Sequence, residues 1–291
     1  MGEITILDGG MSRELMRLGA PFRQPEWSAL ALIEAPEKVR DAYAAFAAAG
    51  AEVLTTDAYA VVPYHLGADR FERDGHRLVA LSAQLAREVA DQHLGVRVGG
   101  CLPPALGSYR PDRLATEPDV ARAILEVLVA AQSPFVDVWL IETMSSIDEA
   151  MLSIDVATHD PGGLPVWVAF TVDDADGTRL RSGEPVIDAV HVAEAAGVAA
   201  VAFNCSQPEA LAASVRSARS VSELPIGVYA NVLHEHSSDG ANEIIHDRRN
   251  DATPEAYAVW AERWVEAGAT IVGGCCGTTS EHIAALANHL N

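Results

Sequence analysis

The fold is indicated most directly by the stretch AGATIVGGCC, residues 267–276. A glycine ends a helical pattern here, a short uncharged run follows, and two cysteines close the stretch. Similar Ala-Gly joints occur at 49–51 and 196–198, each directly before another apolar run. Repeated joints that lead from a helix through glycine into a buried strand are typical of a parallel α/β fold.

Eight apolar runs of this kind predict strands. They cover residues 4–8, 53–59, 96–102, 136–143, 165–171, 200–205, 226–232 and 270–275. Several are continuously apolar, as strands buried on both faces are. Helical patterns separate them, and the pairs Ser146/Glu149 and Ser206/Glu209 predict capping boxes, while Thr253 precedes another helix. We therefore predict an α/β fold, a (β/α)8 TIM barrel over 1–291 in a single domain, with a doubly wound open sheet as the alternative.

Composition excludes some functions. The 41 acidic residues exceed the 20 basic ones and give a net charge of −21, which argues against a nucleic-acid binder with a basic stripe. No apolar run reaches membrane-spanning length, and the N-terminal residues have no secretory pattern. With only four cysteines in 291 residues, we expect reduced thiols and a cytoplasmic protein. The sequence leaves open whether the protein forms a homo-oligomer.

In a barrel, active groups collect where strands end and the following loops begin. The residues at these ends are Asp8, Asp57, Tyr59, Glu142, Thr143, Cys205, Cys275 and Cys276. The barrel would therefore bring the three cysteines and two of the acids from distant parts of the chain to one face. That convergence is the main indication of a site.

Three thiolates and one open position can form a catalytic zinc site that accepts a thiol. Neighbouring strand residues point to opposite faces, so Cys275 and Cys276 can share a metal only if the backbone turns, as the glycines around them permit. A deprotonated thiol held there would attack a methyl group on a positively charged sulfur or nitrogen. The alternative is that the cysteines are small buried hydrophobes. Cys101 is expected to pack in the core, although a fourth ligand would close the site.

The motifs resemble the homocysteine S-methyltransferase family, which includes betaine–homocysteine and S-methylmethionine–homocysteine methyltransferases. The matching segments are LDGGM at 7–11, WS at 27–28, AGA at 49–51, TT at 55–56, ET at 142–143, SG at 182–183, FNC at 203–205 and GGCCGT at 273–278. The resemblance implies a (β/α)8 barrel that makes methionine, with Zn²⁺ held by Cys205, Cys275 and Cys276 and the homocysteine sulfur in the fourth position.

The same resemblance implies roles for other residues. Glu142 and Asp8 would be the catalytic residues that orient the amino-acid end of homocysteine, with Gly9, Thr143 and Asn204 as neighbouring substrate-binding residues. Independently, Trp27 and Tyr59 are candidates for an aromatic wall around a cationic methyl donor, or else ordinary core residues.

Some segments depart from the family pattern and leave the donor open. The usual Thr-Thr-Asn-Thr-Tyr is TTDAY at 55–59, the Gly-Pro-Tyr-Gly type is CLPPALGSY at 101–109, and Tyr-Pro-Asn is YAN at 229–231. A related enzyme with another thiol acceptor and a non-catalytic zinc or redox-responsive binding protein remain alternatives. The polar segment 234–251 is either a lid or poorly ordered, and its His234, His236 and His246 are expected to be solvated rather than metal ligands.

Overall fold

The computed structural model describes residues 4–234 and 247–290, in which strands and helices alternate. The strands are β1 Thr5–Ile6, β2 Val53–Thr55, β3 Arg97–Leu102, β4 Val138–Met144, β5 Val166–Phe170, β6 Ala200–Asn204, β7 Ile226–Ala230 and β8 Ile271–Gly274. The helices are α1 Met11–Arg17, α2 Ala29–Glu34, α3 Pro36–Ala48, α4 Pro63–Leu66, α5 Ala68–Ala90, α6 Pro111–Leu114, α7 Pro118–Gln132, α8 Ile147–Thr158, α9 Val186–Ala195, α10 Pro208–Arg219, α11 Pro254–Glu266 and α12 Ser280–Leu290, with a 3-10 turn at Ser133–Phe135. No helix in these ranges is long and apolar enough to cross a membrane.

The eight strands pair in parallel, in the order β1-β8-β7-β6-β5-β4-β3-β2. Contacts between the two ends of this order close the sheet. Leu7 pairs with Val53, the backbone N–H of Glu52 donates to the carbonyl of Ile6 at 2.7 Å, and that of Asp8 donates to Val53 at 3.1 Å. The prediction of a (β/α)8 TIM barrel is therefore confirmed, and the open-sheet alternative is wrong.

The buried side chains form two layers, one inside the barrel and one between strands and helices. The inner layer contains Leu7, Val53, Val138, Leu140, Trp167, Ala169, Ala200, Ala202, Tyr229 and Ile271. Side chains along a strand alternate between its two sides. Glu142 therefore points to the same side as Val138 and Leu140, and Asn204 points to the same side as Ala200 and Ala202. This alternation places two of the expected site residues at one end of the barrel interior.

The predicted strands begin within two residues of the observed ones, but six of the eight run too far at their carboxyl ends. The run at 53–59 ends as a strand at Thr55, and the run at 226–232 ends at Ala230. The chain leaves the ladder at these points while remaining buried. Hydrophobicity therefore reports burial here, not strand pairing.

Two predicted helix starts are confirmed and one is wrong. The hydroxyl of Ser146 accepts the N–H of Glu149, and that of Thr253 accepts the N–H of Ala256. Ser206 does not cap α10, because its hydroxyl accepts the N–H of Val172 at 2.8 Å. That helix begins at Pro208, whose ring suits a first helical position.

Candidate active site

A cavity of about 190 Å³ lies at the carboxyl ends of the strands. Every residue that the sequence placed in the site lines it, namely Asp8, Gly9, Trp27, Tyr59, Glu142, Thr143, Asn204, Cys205, Cys275 and Cys276. They come from the ends of β1, β2, β4, β6 and β8 and from the loop before α2. The structure therefore brings together side chains that are up to 268 positions apart, as between Asp8 and Cys276.

Three sulfur atoms form a compact cluster in the wall of this cavity. The Sγ atom of Cys205 lies 2.8 Å from that of Cys275 and 3.7 Å from that of Cys276, and the last two are 4.0 Å apart. Cys205 has a φ of +51°, a left-handed conformation that interrupts the strand alternation directly after β6. This conformation accompanies the placement of its thiol beside the other two.

Glycines around the vicinal cysteines permit close packing as well as a turn. A Cβ on Gly273 would lie 2.4 Å from Cβ of Leu7, and a Cβ on Gly274 would lie 2.2 Å from Oγ1 of Thr278. Only Gly277 in this segment has a positive φ, at +91°. Thr278 also accepts the N–H of Gly10 and donates to the carbonyl of Cys275, so the loops after β1 and β8 are tied together.

The sulfur cluster fits a zinc ion. Zinc–sulfur bonds of about 2.3 Å in a tetrahedron separate the sulfurs by about 3.8 Å. Two of the three separations, 3.7 and 4.0 Å, match this edge, and the third, 2.8 Å, is shorter. Among the described residues, this is the one group of three or more Cys, His, Asp or Glu side chains arranged to hold a metal.

Cys101 lies outside the sulfur cluster, fully buried in β3. Burial raises the pKa of its thiol, and contact with the carboxyl of Glu142 raises it further. Burial also raises the pKa of Glu142 to about 7, against a hydrogen bond from Cys101 that favours the ionised form. Cys101 therefore packs in the core next to Glu142, and it does not line the cavity itself.

Asp8 joins the first two strands at the cavity wall. Its carboxylate accepts the backbone N–H of Thr55 at 2.6 Å and the hydroxyl of the same residue at 2.8 Å. Burial raises the pKa of Asp8 to about 8, although both hydrogen bonds favour the charged form. The side chain is held in one orientation beside the point where the barrel closes.

Thr143 and Asn204 form a second link, between the ends of β4 and β6. The amide oxygen of Asn204 accepts the N–H of Thr143 at 3.0 Å, and its NH₂ group donates to the Thr143 hydroxyl at 2.9 Å. Thr143 has a φ of +63°, which is strained for a β-branched residue. Asn204 therefore positions the backbone next to Glu142, and its substrate contact stays a prediction.

Asn204→Ala should lower the free energy of unfolding by about 1–3 kcal/mol, because it leaves two buried polar groups of Thr143 without partners. Thr143→Ser keeps the hydroxyl and should cost much less. Urea unfolding of both variants checks this. Equal losses would show that the Asn204 link does not hold the strained turn.

Aromatic side chains complete the wall. The Tyr59 hydroxyl hydrogen-bonds that of Ser108 at 2.6 Å, and the Tyr109 hydroxyl donates to the carbonyl of Cys205 at 3.3 Å. The Arg181 guanidinium stacks 4.5 Å above the Tyr109 ring. Sequence reasoning missed Tyr109 as a site residue, since it comes seven positions after β3 ends and only its left-handed φ of +62° accompanies its place in the wall.

Trp27 also lines the cavity. Its ring meets Phe22 and His65 edge to face, with centroids 5.9 and 6.3 Å away. Of the three histidines in the polar segment, His234 is exposed and outside the metal-type cluster described above, whereas His236 and His246 lie outside the described residues. Most of the segment 234–251, which the sequence analysis considered as a lid, also lies outside the described residues.

Comparisons with known proteins agree with this geometry. The family model described as homocysteine S-methyltransferase matches residues 5–290. A maize (Zea mays) protein, homocysteine S-methyltransferase 1, is 28% identical over 99% of this chain and 95% of its own length. A selenocysteine methyltransferase from Astragalus bisulcatus is 25% identical over 97% and 91%. The crystal structure of the Escherichia coli homocysteine methyltransferase MmuM in its metallated form superposes with a TM-score of 0.81 at 26% identity, covering 98% of this chain and 96% of that one.

Proposed function

The chain belongs to the homocysteine S-methyltransferase family, and we propose that it is a zinc-dependent enzyme that methylates homocysteine. The methyl group comes from a small sulfonium or ammonium donor, and methionine is the product. The observation that carries this proposal is the cluster of three thiols at 2.8 to 4.0 Å in the wall of the barrel-mouth cavity. The relatives' names and the metallated form of MmuM support it.

Cys205, Cys275 and Cys276 would hold the zinc. A zinc ion bound by three thiolates leaves one position for a substrate thiol and keeps that thiol deprotonated at neutral pH. The chain contributes the rigid placement of the ligands. The N–H of Cys275 donates to Ala230 and the carbonyl of Cys276 accepts from Val232, so the vicinal pair is anchored to the end of β7.

Other residues orient the two substrates. Asp8 and Glu142 are buried carboxyls that line the cavity, and we assign them the ammonium group of homocysteine. Tyr59 and Trp27 offer ring faces to a cationic donor and displace water around its methyl group. The homocysteine sulfur forms the new S–CH₃ bond as the donor's S–CH₃ or N–CH₃ bond breaks. The bonding pair leaves with the donor, which becomes neutral at that atom.

The first test is methionine formation by zinc-loaded protein. The donors are S-methylmethionine, glycine betaine, S-adenosylmethionine and dimethylsulfoniopropionate, each with homocysteine. We expect product with at least one donor and loss of product when a chelator removes the metal. Product that persists in metal-free protein would contradict the role of zinc.

A second acceptor has specific support, because one relative is named a selenocysteine methyltransferase. An acceptor panel with homocysteine, selenocysteine and cysteine separates the two possibilities. Turnover of selenocysteine with none of homocysteine would shift the proposal to the selenol acceptor. Bound Co²⁺ whose absorbance does not respond to any thiol or selenol would instead support a non-catalytic zinc-binding protein.

Two expectations about the whole chain complete the proposal. Residues 1–291 form one homocysteine-binding domain, since the barrel elements run from β1 to α12 through the described ranges. The three thiols must stay reduced to bind a metal, so the protein works in a reducing compartment such as the cytoplasm.

A further inference from the structure

Asp57 is a buried acid that the chemistry above does not use. It follows β2 and lines the central cavity, with 3% of its surface exposed. Its backbone N–H donates to the hydroxyl of Tyr43 at 2.6 Å, which fixes the main chain. Among the described residues, however, its Oδ2 atom has no hydrogen-bond partner. A buried carboxylate oxygen without a partner is costly, so it requires an explanation.

The neighbouring acids of the cavity differ in this respect. Both oxygens of Asp8 accept hydrogen bonds from Thr55, and neither oxygen of Glu142 is both buried and without a partner among the described residues. Burial raises the pKa of Asp57 to about 7, and a hydrogen bond from Ser28 is the one opposing cause. Of the three carboxyls that line the cavity, Asp57 is thus the one with a buried oxygen that lacks a hydrogen-bond partner among the described residues.

The surroundings of Asp57 favour a cation. We name the Trp27 corner as Trp27, Ser28, Asp57 and His65, which all line the cavity. Burial lowers the pKa of His65 to about 4, so the ring is neutral. Its Nδ1 donates to the carbonyl of Pro25 at 3.2 Å, which leaves Nε2 as an acceptor. The corner therefore offers a carboxylate, an imidazole acceptor and an indole, but no cationic side chain.

The charge of the whole cavity points the same way. Its described lining contains three carboxyls, from Asp8, Asp57 and Glu142, and one guanidinium, from Arg13. The ammonium of homocysteine engages Asp8 and Glu142 in the proposed function. A third buried carboxyl calls for a second hydrogen-bonding cation, because burial of an unpaired charge is unfavourable.

We propose that Asp57 determines donor specificity by binding an N–H-bearing cation on the methyl donor, such as the α-ammonium of an amino-acid sulfonium. This inference rests on the proposed function for its chemistry. An ammonium donates hydrogen bonds to Oδ2, whereas a sulfonium or quaternary ammonium has no N–H to donate. Donors that carry a carboxylate without an ammonium leave Asp57 unpaired. They also bring a like charge into an acidic cavity.

The test compares two donors that differ by one amine. These are S-methylmethionine and its deaminated analogue, 4-(dimethylsulfonio)butanoate. We expect zinc-loaded wild type to favour S-methylmethionine by about 10- to 100-fold in kcat/KM, the range of a hydrogen bond to a charged group. In Asp57→Asn this preference should fall to within about threefold, through the KM of the donor, while the KM of homocysteine and the zinc content stay unchanged.

Glu149→Gln is the matched control. Glu149 is a buried acid on α8 whose pKa burial also raises to about 7, but it does not line the central cavity. Its replacement should leave the donor preference intact. Equal losses with both donors in Asp57→Asn, or an unchanged preference, would overturn the inference and indicate a structural role.

Calorimetric binding of the two donors, without homocysteine, separates this inference from the proposed function. If no methionine forms but wild type binds S-methylmethionine more tightly and Asp57→Asn does not, the inference stands and the reaction is wrong. If wild type binds the two donors equally or binds neither, the inference fails whatever the turnover shows. If Asp57→Asn does not fold, Asp57→Ser takes its place in both measurements, and equal affinity of the wild type for the two donors still overturns the inference.

Discussion

Cys276→Ser is expected to lose both zinc and methyl transfer while the barrel stays folded. A serine hydroxyl remains protonated at neutral pH and is a weak zinc ligand, so two thiolates remain where three are needed. Mutation of residues that hydrogen-bond to metal ligands typically lowers metal affinity or activity by about 10- to 100-fold. Loss of a ligand itself should therefore lower the activity by more than about 100-fold. The backbone contact of Cys276 with Val232 does not involve the side chain.

Cys101→Ser provides the matched control for this experiment. It makes the same chemical change at a buried cysteine that lies outside the sulfur cluster. The zinc content should stay near that of the wild type, as measured by atomic emission on dialysed protein. Full activity in metal-free Cys276→Ser would refute the mechanism. Loss of zinc from Cys101→Ser as well would show that the fourth cysteine supports the site.

Glu142→Gln is expected to raise the KM of homocysteine by about 10- to 100-fold, because glutamine keeps the shape of the side chain but cannot pair with an ammonium. Zinc content should not change, since Glu142 is not one of the clustered ligands. Steady-state kinetics at saturating donor measure the effect.

Asp57→Asn separates the two acids of the cavity. It removes the buried carboxyl that follows β2 and keeps the one in β4, so it should leave the KM of homocysteine unchanged. If Glu142→Gln changed only the KM of the donor, the assignment of Glu142 to homocysteine would be wrong. The two variants together therefore assign each carboxyl to one substrate.

Much of the barrel could be predicted because its signals are local. Glycines at 50, 197 and 268 all have positive φ values at the helix–strand joints, as the Ala-Gly repeats predicted. The strand starts followed from continuous apolar runs. Where the prediction was wrong, at Ser206, a tertiary partner competed for the capping hydroxyl: the N–H of Val172 lies 34 positions away. Such competition cannot be read from four consecutive residues.

The sequence by itself determined where the eight strands begin and most of the side chains that reach the mouth of the barrel, because strand alternation and glycine joints depend on near neighbours. Only the tertiary structure decided what each of these side chains touches. Thr55 supplies both partners of Asp8, and Asn204 supplies both partners of Thr143, while Asp57 keeps one oxygen unpaired. These contacts join strands far apart in the chain, so they exist only once the barrel has closed.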